Sequence, residues 1–206
     1  MRRMLAYGVV ATLGVSLLGI SGCATTAPTR FYLLMPMLDS ATVRPFAPAR
    51  HLAIGVGPVT MPPYLNRPQI VTRASSARLD FAEFDQWAAP LPDSVTRVVA
   101  ENLSLLIPTD RVALHPWPRA TSVDYQVSIA VDRFDGAAGG EVMLLGHWSL
   151  WDADGNELVM RKVRFSVPTG GPEYEALVSA MSRTLADLSQ DIATTVQGVA
   201  PRASTR

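Results

Sequence analysis

Few residues of this 206-residue chain have types and spacings that could do chemistry. The chain has one cysteine, Cys23, so neither an intrachain disulfide nor a cysteine-rich metal site can form. Its three histidines are His51, His115 and His147, and none stands at metal-ligand spacing from another histidine or from the cysteine. We therefore interpret each histidine as a surface or structural residue and expect no metal site.

The acidic residues and short motifs also offer little to a catalyst. Asp132 and Asp135 flank a predicted strand end, and no apolar surroundings are evident that would raise a carboxyl pKa, so we expect solvated charges. The chain has no G-x-S-x-G elbow, no phosphate-binding loop and no dinucleotide fingerprint. The sequence therefore predicts a protein that is not an enzyme, and a lipid-anchored hydrolase would lack its nucleophile and base.

Cys23 has the surroundings of a covalent modification site. Arg2 and Arg3 precede an uncharged apolar run over residues 5–20, which is typical of a secretory signal peptide and short for a membrane-spanning helix. The run ends in ISGC (residues 20–23), which resembles a bacterial lipobox: small residues fit the signal peptidase, and the thiol accepts a diacylglyceryl group. We predict a signal peptide over residues 1–22 and diacylglyceryl and N-acyl groups on Cys23, with no other cofactor. The alternative is an ordinary buried thiol beside an anchor helix.

The residues after Cys23 bear on location. Residue 24 is alanine, whereas an aspartate there commonly retains lipoproteins of two-membrane bacteria at the inner membrane. We therefore expect attachment to the outer membrane, facing the periplasm. Residues 23–30 form a short acylated tether, and its seven residues after the cysteine reach about 25 Å when fully extended. The folded body should lie close to the bilayer.

Composition excludes two further classes of protein. The 18 Lys and Arg residues balance 18 Asp and Glu residues, which excludes a strongly basic nucleic-acid binder. Hydrophobic residues make up 48% of the chain, which is enough to form a core and excludes general disorder.

Hydrophobic periodicity predicts an α+β fold: a mostly antiparallel sheet with two amphipathic helices packed on one face. One helix has Pro92 in its first turn and ends before Pro108, and the other follows residue 172. Alternating or β-branched runs predict strands over residues 31–34, 51–57, 69–73, 79–84, 125–134, 141–151 and 158–167. We expect one domain over residues 31–200 and a polar tail over residues 201–206.

A proline-rich segment separates the second and third predicted strands. Prolines at positions 58, 62, 63 and 68 remove amide donors, so residues 58–68 should form neither a helix nor a central strand. A stiff loop presenting Tyr64, Leu65 and Arg67 would suit docking to a partner, since Tyr and Arg are favoured interface anchors. The alternative is that Tyr64 and Leu65 plug the sheet edge while Arg67 pairs with a carboxylate.

The segment IGVGPVTMPPYLNRPQIVTR (residues 54–73) resembles the signature region of the PqiC family of auxiliary lipoproteins. The resemblance extends to FYLL (31–34), FDQWAAPL (84–91), VVAENLSLLIP (98–108), DYQVSIAVDRFDG (124–136) and GHWSLWDADG (146–155). It implies an auxiliary component of an ABC-type, MCE-protein-based lipid transport system at the outer membrane. The implied partners are a tunnel-forming MCE protein and its inner-membrane permease, and the resemblance also implies a homo-oligomeric ring.

Two functional hypotheses follow. In the first, the protein is a non-enzymatic docking component of a lipid-transport bridge across the periplasm. In the second, it is a periplasmic module that itself binds and carries a lipid. Bound phospholipid in a monomer would favour the second hypothesis.

Overall fold

The computed structural model describes residues 27–37, 52–107 and 109–199, in which eight strands form one sheet and two helices pack against it. The predicted signal peptide, Cys23, His51 and the predicted tail therefore lie outside the described residues. The elements in chain order are β1 (Arg30–Tyr32), β2 (Ile54–Thr60), β3 (Gln69–Arg73), β4 (Leu79–Trp87), α1 (Leu91–Leu106), β5 (Val112–Leu114), β6 (Tyr125–Gly136), β7 (Glu141–Asp152), β8 (Glu157–Pro168) and α2 (Tyr174–Val199).

Strands β6, β7 and β8 form a long antiparallel meander, as their alternating apolar residues predict. The inward face of β7 carries fully buried side chains such as Trp148 and Leu150. Gly146 lies on the same strand, where an added Cβ would collide with the carbonyl oxygen of Ala130 on β6. The two backbones can approach closely there only because residue 146 has no side chain.

The first strands join the meander through β6, and the sheet order is β1-β4-β3-β6-β2-β5. Strand β6 pairs with β7 along one edge, and its other edge is divided between β2 and the end of β3. Strands β2 and β5 pair in parallel, as do β1 and β4, whereas the long pairings are antiparallel. The predicted α+β class is confirmed.

The prediction that Pro58 lies outside any central strand was wrong. Strand β2 continues through Pro58 to Thr60 between β5 and β6. However, β5 pairs only with residues 54–56, and the register with β6 shifts between Val56 and Val59. Pro58 therefore occupies an interruption of the ladder, where a strand tolerates a residue without an amide hydrogen.

The two helices lie side by side on the sheet. Helix α1 has Pro92 in its first turn and ends before residue 108, as predicted, and packs against β2. Helix α2 packs against β7 and β8, and its predicted apolar stripe is buried. That stripe comprises Leu177, Met181, Leu185, Leu188, Ile192 and Val196. Among the described residues, no helix has the length and hydrophobicity needed to cross a membrane.

Polar side chains fix how the helices sit. The buried Asn102 of α1 donates a hydrogen bond to Ser189 of α2 at 3.2 Å. The indole Nε1 of Trp148 donates to Asp191 of α2 at 2.9 Å, and Arg161 of β8 pairs with the same carboxylate at 2.6 Å. These directional bonds select one packing arrangement from the many that apolar contact alone would allow.

Candidate docking surface

The proline-rich loop between β2 and β3, residues 61–68, is folded into tight turns and tied to the sheet. The Leu65 amide donates to the Pro62 carbonyl at 3.0 Å. The Trp87 amide on β4 donates to the Pro68 carbonyl at 2.7 Å. Since proline also restricts the unfolded chain, this loop loses little entropy on ordering and presents a fixed surface.

The three residues singled out in this loop have different environments. Leu65 is 2% exposed and packs in the core, so its side chain cannot reach a partner. Tyr64 and Arg67 are partly exposed. The structure therefore leaves two of the three predicted docking side chains at the surface.

Tyr64 is fixed by a buried ionic cluster. Its hydroxyl donates to Asp135 Oδ2 at 3.2 Å. Arg73 of β3 donates to both oxygens of the same carboxylate, at 2.7 and 2.8 Å, and Arg133 of β6 donates at 2.8 Å. One carboxylate thus connects the loop, β3 and β6.

The cluster corrects the expectation that Asp135 is a solvated charge. Asp132 is exposed as expected, but Asp135 is fully buried. The register of β6 shifts between Val131 and Arg133, which changes the inward and outward alternation just before Asp135. The guanidinium groups of Arg73 and Arg133 then compensate for the desolvation cost of burying the Asp135 carboxylate.

The pKa values of the cluster follow from these contacts. Burial raises the pKa of Asp135, but the hydrogen bonds from Arg73 and Arg133 outweigh it, so that pKa lies below its usual value. Burial and the neighbouring Asp135 charge raise the pKa of Tyr64. Tyr64 therefore stays a neutral donor at neutral pH.

Arg67 borders a surface cleft of about 300 Å³. Its guanidinium carbon lies 3.8 Å from the centre of the Phe81 ring, a cation–π contact. Its Nε is buried and has no hydrogen-bond partner among the described residues. Asn66 and Pro68 line the cleft on the loop side, and residues 87–90 line the opposite side. The cleft lining thus includes Arg67 and Trp87, two of the residue types that are most enriched at the energetic centres of protein interfaces.

A second buried carboxylate fixes the strand nearest the predicted anchor. Asp85 of β4 accepts a hydrogen bond from the Tyr32 hydroxyl at 2.7 Å and pairs with Arg30 at 2.7 Å. Burial raises the pKa of Asp85, but its bonds to Arg30 and Tyr32 prevail and lower it. Burial, together with the bond to Asp85, raises the pKa of Tyr32. The short strand β1 is therefore held to β4 by the Arg30–Asp85 ion pair as well as by backbone hydrogen bonds.

The described histidines, which the sequence offered as possible metal ligands or catalytic residues, lie in different parts of the fold. His115 is exposed beside Trp117, and His147 lies on β7, so the structure does not bring these two together as ligands. No group of three or more potential metal-ligating side chains occurs within the described part of the chain.

Sequence reasoning missed the side of the cleft opposite the loop. Trp87 is the last residue of β4, and residues 88–90 lead from it into α1. The available signal was an aromatic residue at a strand end before a proline-started helix. Phe81 had no signal, because its contact with Arg67 depends on tertiary packing.

Comparison with known proteins agrees with this architecture. A family model described as "ABC-type transport auxiliary lipoprotein component" matches residues 32–193. The intermembrane transport lipoprotein PqiC of Escherichia coli K12 is 25% identical over 182 residues, covering 86% of this chain and 94% of that protein. PqiC of Shigella flexneri matches to the same extent.

Solved structures resemble the fold. A crystal structure of an uncharacterized protein has a TM-score of 0.68 at 20% identity, covering 82% of this chain and 99% of that one. Protein XCC0632 of Xanthomonas campestris has a TM-score of 0.65 at 18% identity, covering 82% and 98%. These two similarities establish a shared fold.

Proposed function

Because the chain belongs to the family of ABC-type transport auxiliary lipoprotein components, we propose that it is a non-enzymatic docking component of a lipid-transport system that spans the periplasm. Membership of a lipoprotein family indicates membrane attachment. The proposal assigns that attachment to diacylglyceryl and N-acyl groups on Cys23, after removal of residues 1–22. It places the protein on the outer membrane, facing the periplasm.

The observation that carries the docking role is the fixed cleft beside Arg67. A surface that must recognise a partner benefits from rigidity, because less entropy is lost on binding. The loop turns, the bond to Trp87 and the Asp135 cluster supply that rigidity. Arg67 is partly exposed at the cleft, and an arginine guanidinium can donate to a partner's carbonyl or carboxylate.

The proposed partners are an MCE-domain tunnel protein and its inner-membrane permease, with this protein assembled as a homo-oligomeric ring. The similarity to PqiC supports this choice, since that relative is named an intermembrane transport lipoprotein. In this role the body performs no reaction, and acylation of Cys23 is the chemical step that the protein itself undergoes.

Crosslinking in cells tests the docking role. A photoreactive residue at Asn66, which is exposed and lines the cleft, should capture an MCE-domain protein. The same residue at Asp154, exposed in the β7–β8 turn, should not. Acylated protein that captures no MCE-domain protein from either position would contradict the proposal.

Matched arginine variants locate the contact. Arg67→Ala should reduce capture from Asn66, because it removes one side chain of the cleft lining together with its positive charge. Arg78→Ala should leave capture unchanged, because that exposed arginine pairs with Asp80 at 3.5 Å and does not line the cleft. Equal loss in both variants would show that general positive charge, not the cleft, attracts the partner.

Cys23→Ser tests the anchor separately. The variant should lack acyl groups by mass spectrometry and should be released from the membrane or mislocalised. Bound phospholipid in a monomeric body would instead support the lipid-carrying alternative.

A further inference from the structure

An apolar strip lies at the start of the folded body. Phe31 is 64% exposed, Leu33 47% and Met35 49%. The residues between them, Tyr32 and Leu34, are buried in the core. The extended segment therefore points every second side chain inward and leaves three large apolar groups on one outward side.

The backbone of this strip is tied to both helices. The Met35 amide donates to Ser182 of α2 at 3.1 Å. The Leu34 carbonyl accepts from Arg97 of α1 at 3.3 Å. The Met37 amide donates to Asn102 of α1 at 2.7 Å. These bonds hold the segment in place, so its outward side chains cannot fold back into the core without breaking them.

The distance along the chain to the proposed anchor identifies what covers the strip. Phe31 follows Cys23 by eight residues, a separation of less than about 30 Å even when the chain is fully extended. An acylated Cys23 would therefore keep the strip within about 30 Å of the bilayer. Phe and Leu are the residues with which peripheral proteins enter the headgroup boundary.

Charged groups beside the strip suit the same environment. The side chain of Arg97 remains 40% exposed while it is paired with Glu101. An arginine can bury its aliphatic stem and keep its charged head at the level of the headgroups. Arg97, which also donates to the Leu34 carbonyl, therefore favours shallow insertion of the strip over deep penetration.

We propose that Phe31, Leu33 and Met35 form a membrane-contact strip that inserts into the surface of the bilayer holding the lipid anchor. This inference rests on the proposed acylation of Cys23. The strip gives the body a second attachment point, so the protein is oriented on the membrane and does not pivot freely about its tether. The several acyl chains proposed on Cys23 are enough for stable attachment, so the strip contributes orientation and not affinity.

Depth-dependent fluorescence tests the strip in the full acylated protein. An environment-sensitive fluorophore is placed on a cysteine introduced at Leu33 and, in a second protein, at Met160. Met160 on β8 is 59% exposed and equally apolar, which makes it a matched control. Both proteins are reconstituted in phosphatidylethanolamine–phosphatidylglycerol vesicles that contain spin-labelled lipid.

Quenching by the spin-labelled lipid should be about twofold or more greater at Leu33 than at Met160, because interfacial side chains lie about 5–10 Å into the boundary. Phe31→Ser should reduce quenching at Leu33, and because Phe31 is exposed the fold should be unaffected. Mass spectrometry of the same samples reports acylation of Cys23.

The outcomes separate this inference from the proposed function. An unmodified Cys23 would overturn the anchor and, with it, the strip. An acylated Cys23 with equal quenching at Leu33 and Met160 would overturn the strip alone. A Leu33 fluorophore that is shielded from water but not reached by spin-labelled lipid would show that protein covers the strip, which also overturns the inference.

Discussion

The β6–β8 meander and the N-terminal strands belong to one sheet, but they depend on buried carboxylates to different extents. In the meander, long ladders and a continuous apolar face pack against α2. In the N-terminal part, β1 has three residues and relies on Asp85, while the proline-rich loop relies on Asp135.

This difference suggests that one set of interactions provides the stability of the fold and the other fixes the positions of the surface residues. Apolar burial supplies most of the free energy of folding but is not directional. Buried carboxylates with several partners contribute geometry, because each bond fixes a distance and an angle. The two surfaces proposed to act, the Arg67 cleft and the apolar strip, both lie in the part that charges hold.

Asp135→Asn should produce the largest effect on the N-terminal part. It removes the charge that neutralises Arg73 and Arg133, and breaking a buried ion pair costs about 3–5 kcal/mol. Urea denaturation measures the free energy of unfolding. Asp80→Asn is the control, because its pair with Arg78 is exposed and contributes less than about 1 kcal/mol. Equal losses in the two variants would contradict the structural role of Asp135.

Leu188→Ala should produce the largest effect on the meander side. Leu188 is fully buried on α2, and truncation of such a leucine costs about 2–5 kcal/mol through lost burial and a cavity. Leu105→Ala on α1, which is partly exposed, should change the free energy of unfolding by about 0.5 kcal/mol or less. A small effect at Leu188 would show that this helix face is not closely packed.

Lowering the pH should first weaken the contacts that Asp135 and Asp85 make in the N-terminal part of the sheet. The pKa values of Asp135 and Asp85 are lowered in the folded state, so their contribution is present above the unfolded pKa of about 3.9 and lost as pH falls toward the folded values. The stability difference between the native protein and Asp135→Asn should therefore shrink below about pH 4. A constant difference down to pH 2 would contradict a charged Asp135.

Asp85→Asn should have a local and smaller effect. It weakens the bonds to Arg30 and Tyr32 while leaving the β1 ladder intact, so the β1 amides should exchange hydrogen several-fold faster. Hydrogen exchange read by mass spectrometry resolves this peptide from the meander, where rates should not change. Uniform acceleration throughout the protein would indicate global destabilisation instead.

Local sequence pattern was sufficient for much of the fold. Strict alternation identified β6 and β7, and three- and four-residue spacing identified the buried stripe of α2. Both periodicities arise from local backbone geometry, which a sequence displays directly. The predicted Cys23 modification lies outside the described residues and stays a prediction.

Features that depend on distant partners could not be read in the same way. Asp135 is buried because Arg73, 62 positions away, reaches it, and no local pattern records that contact. Strand β2 tolerates Pro58 because β5 stops pairing at Val56. The candidate cleft similarly joins a loop and a strand end that are separated in the chain.

The parallel pairing of β1 with β4 has a mechanical consequence. Tension on a lipid tether would enter the body at Arg30, the first residue of β1, whose side chain grips Asp85 directly across the ladder. The load would pass at once into β4, a nine-residue strand hydrogen-bonded to β3. A force applied through the anchor would thus be distributed over the whole sheet. The Arg30–Asp85 ion pair would determine the force at which β1 separates from β4.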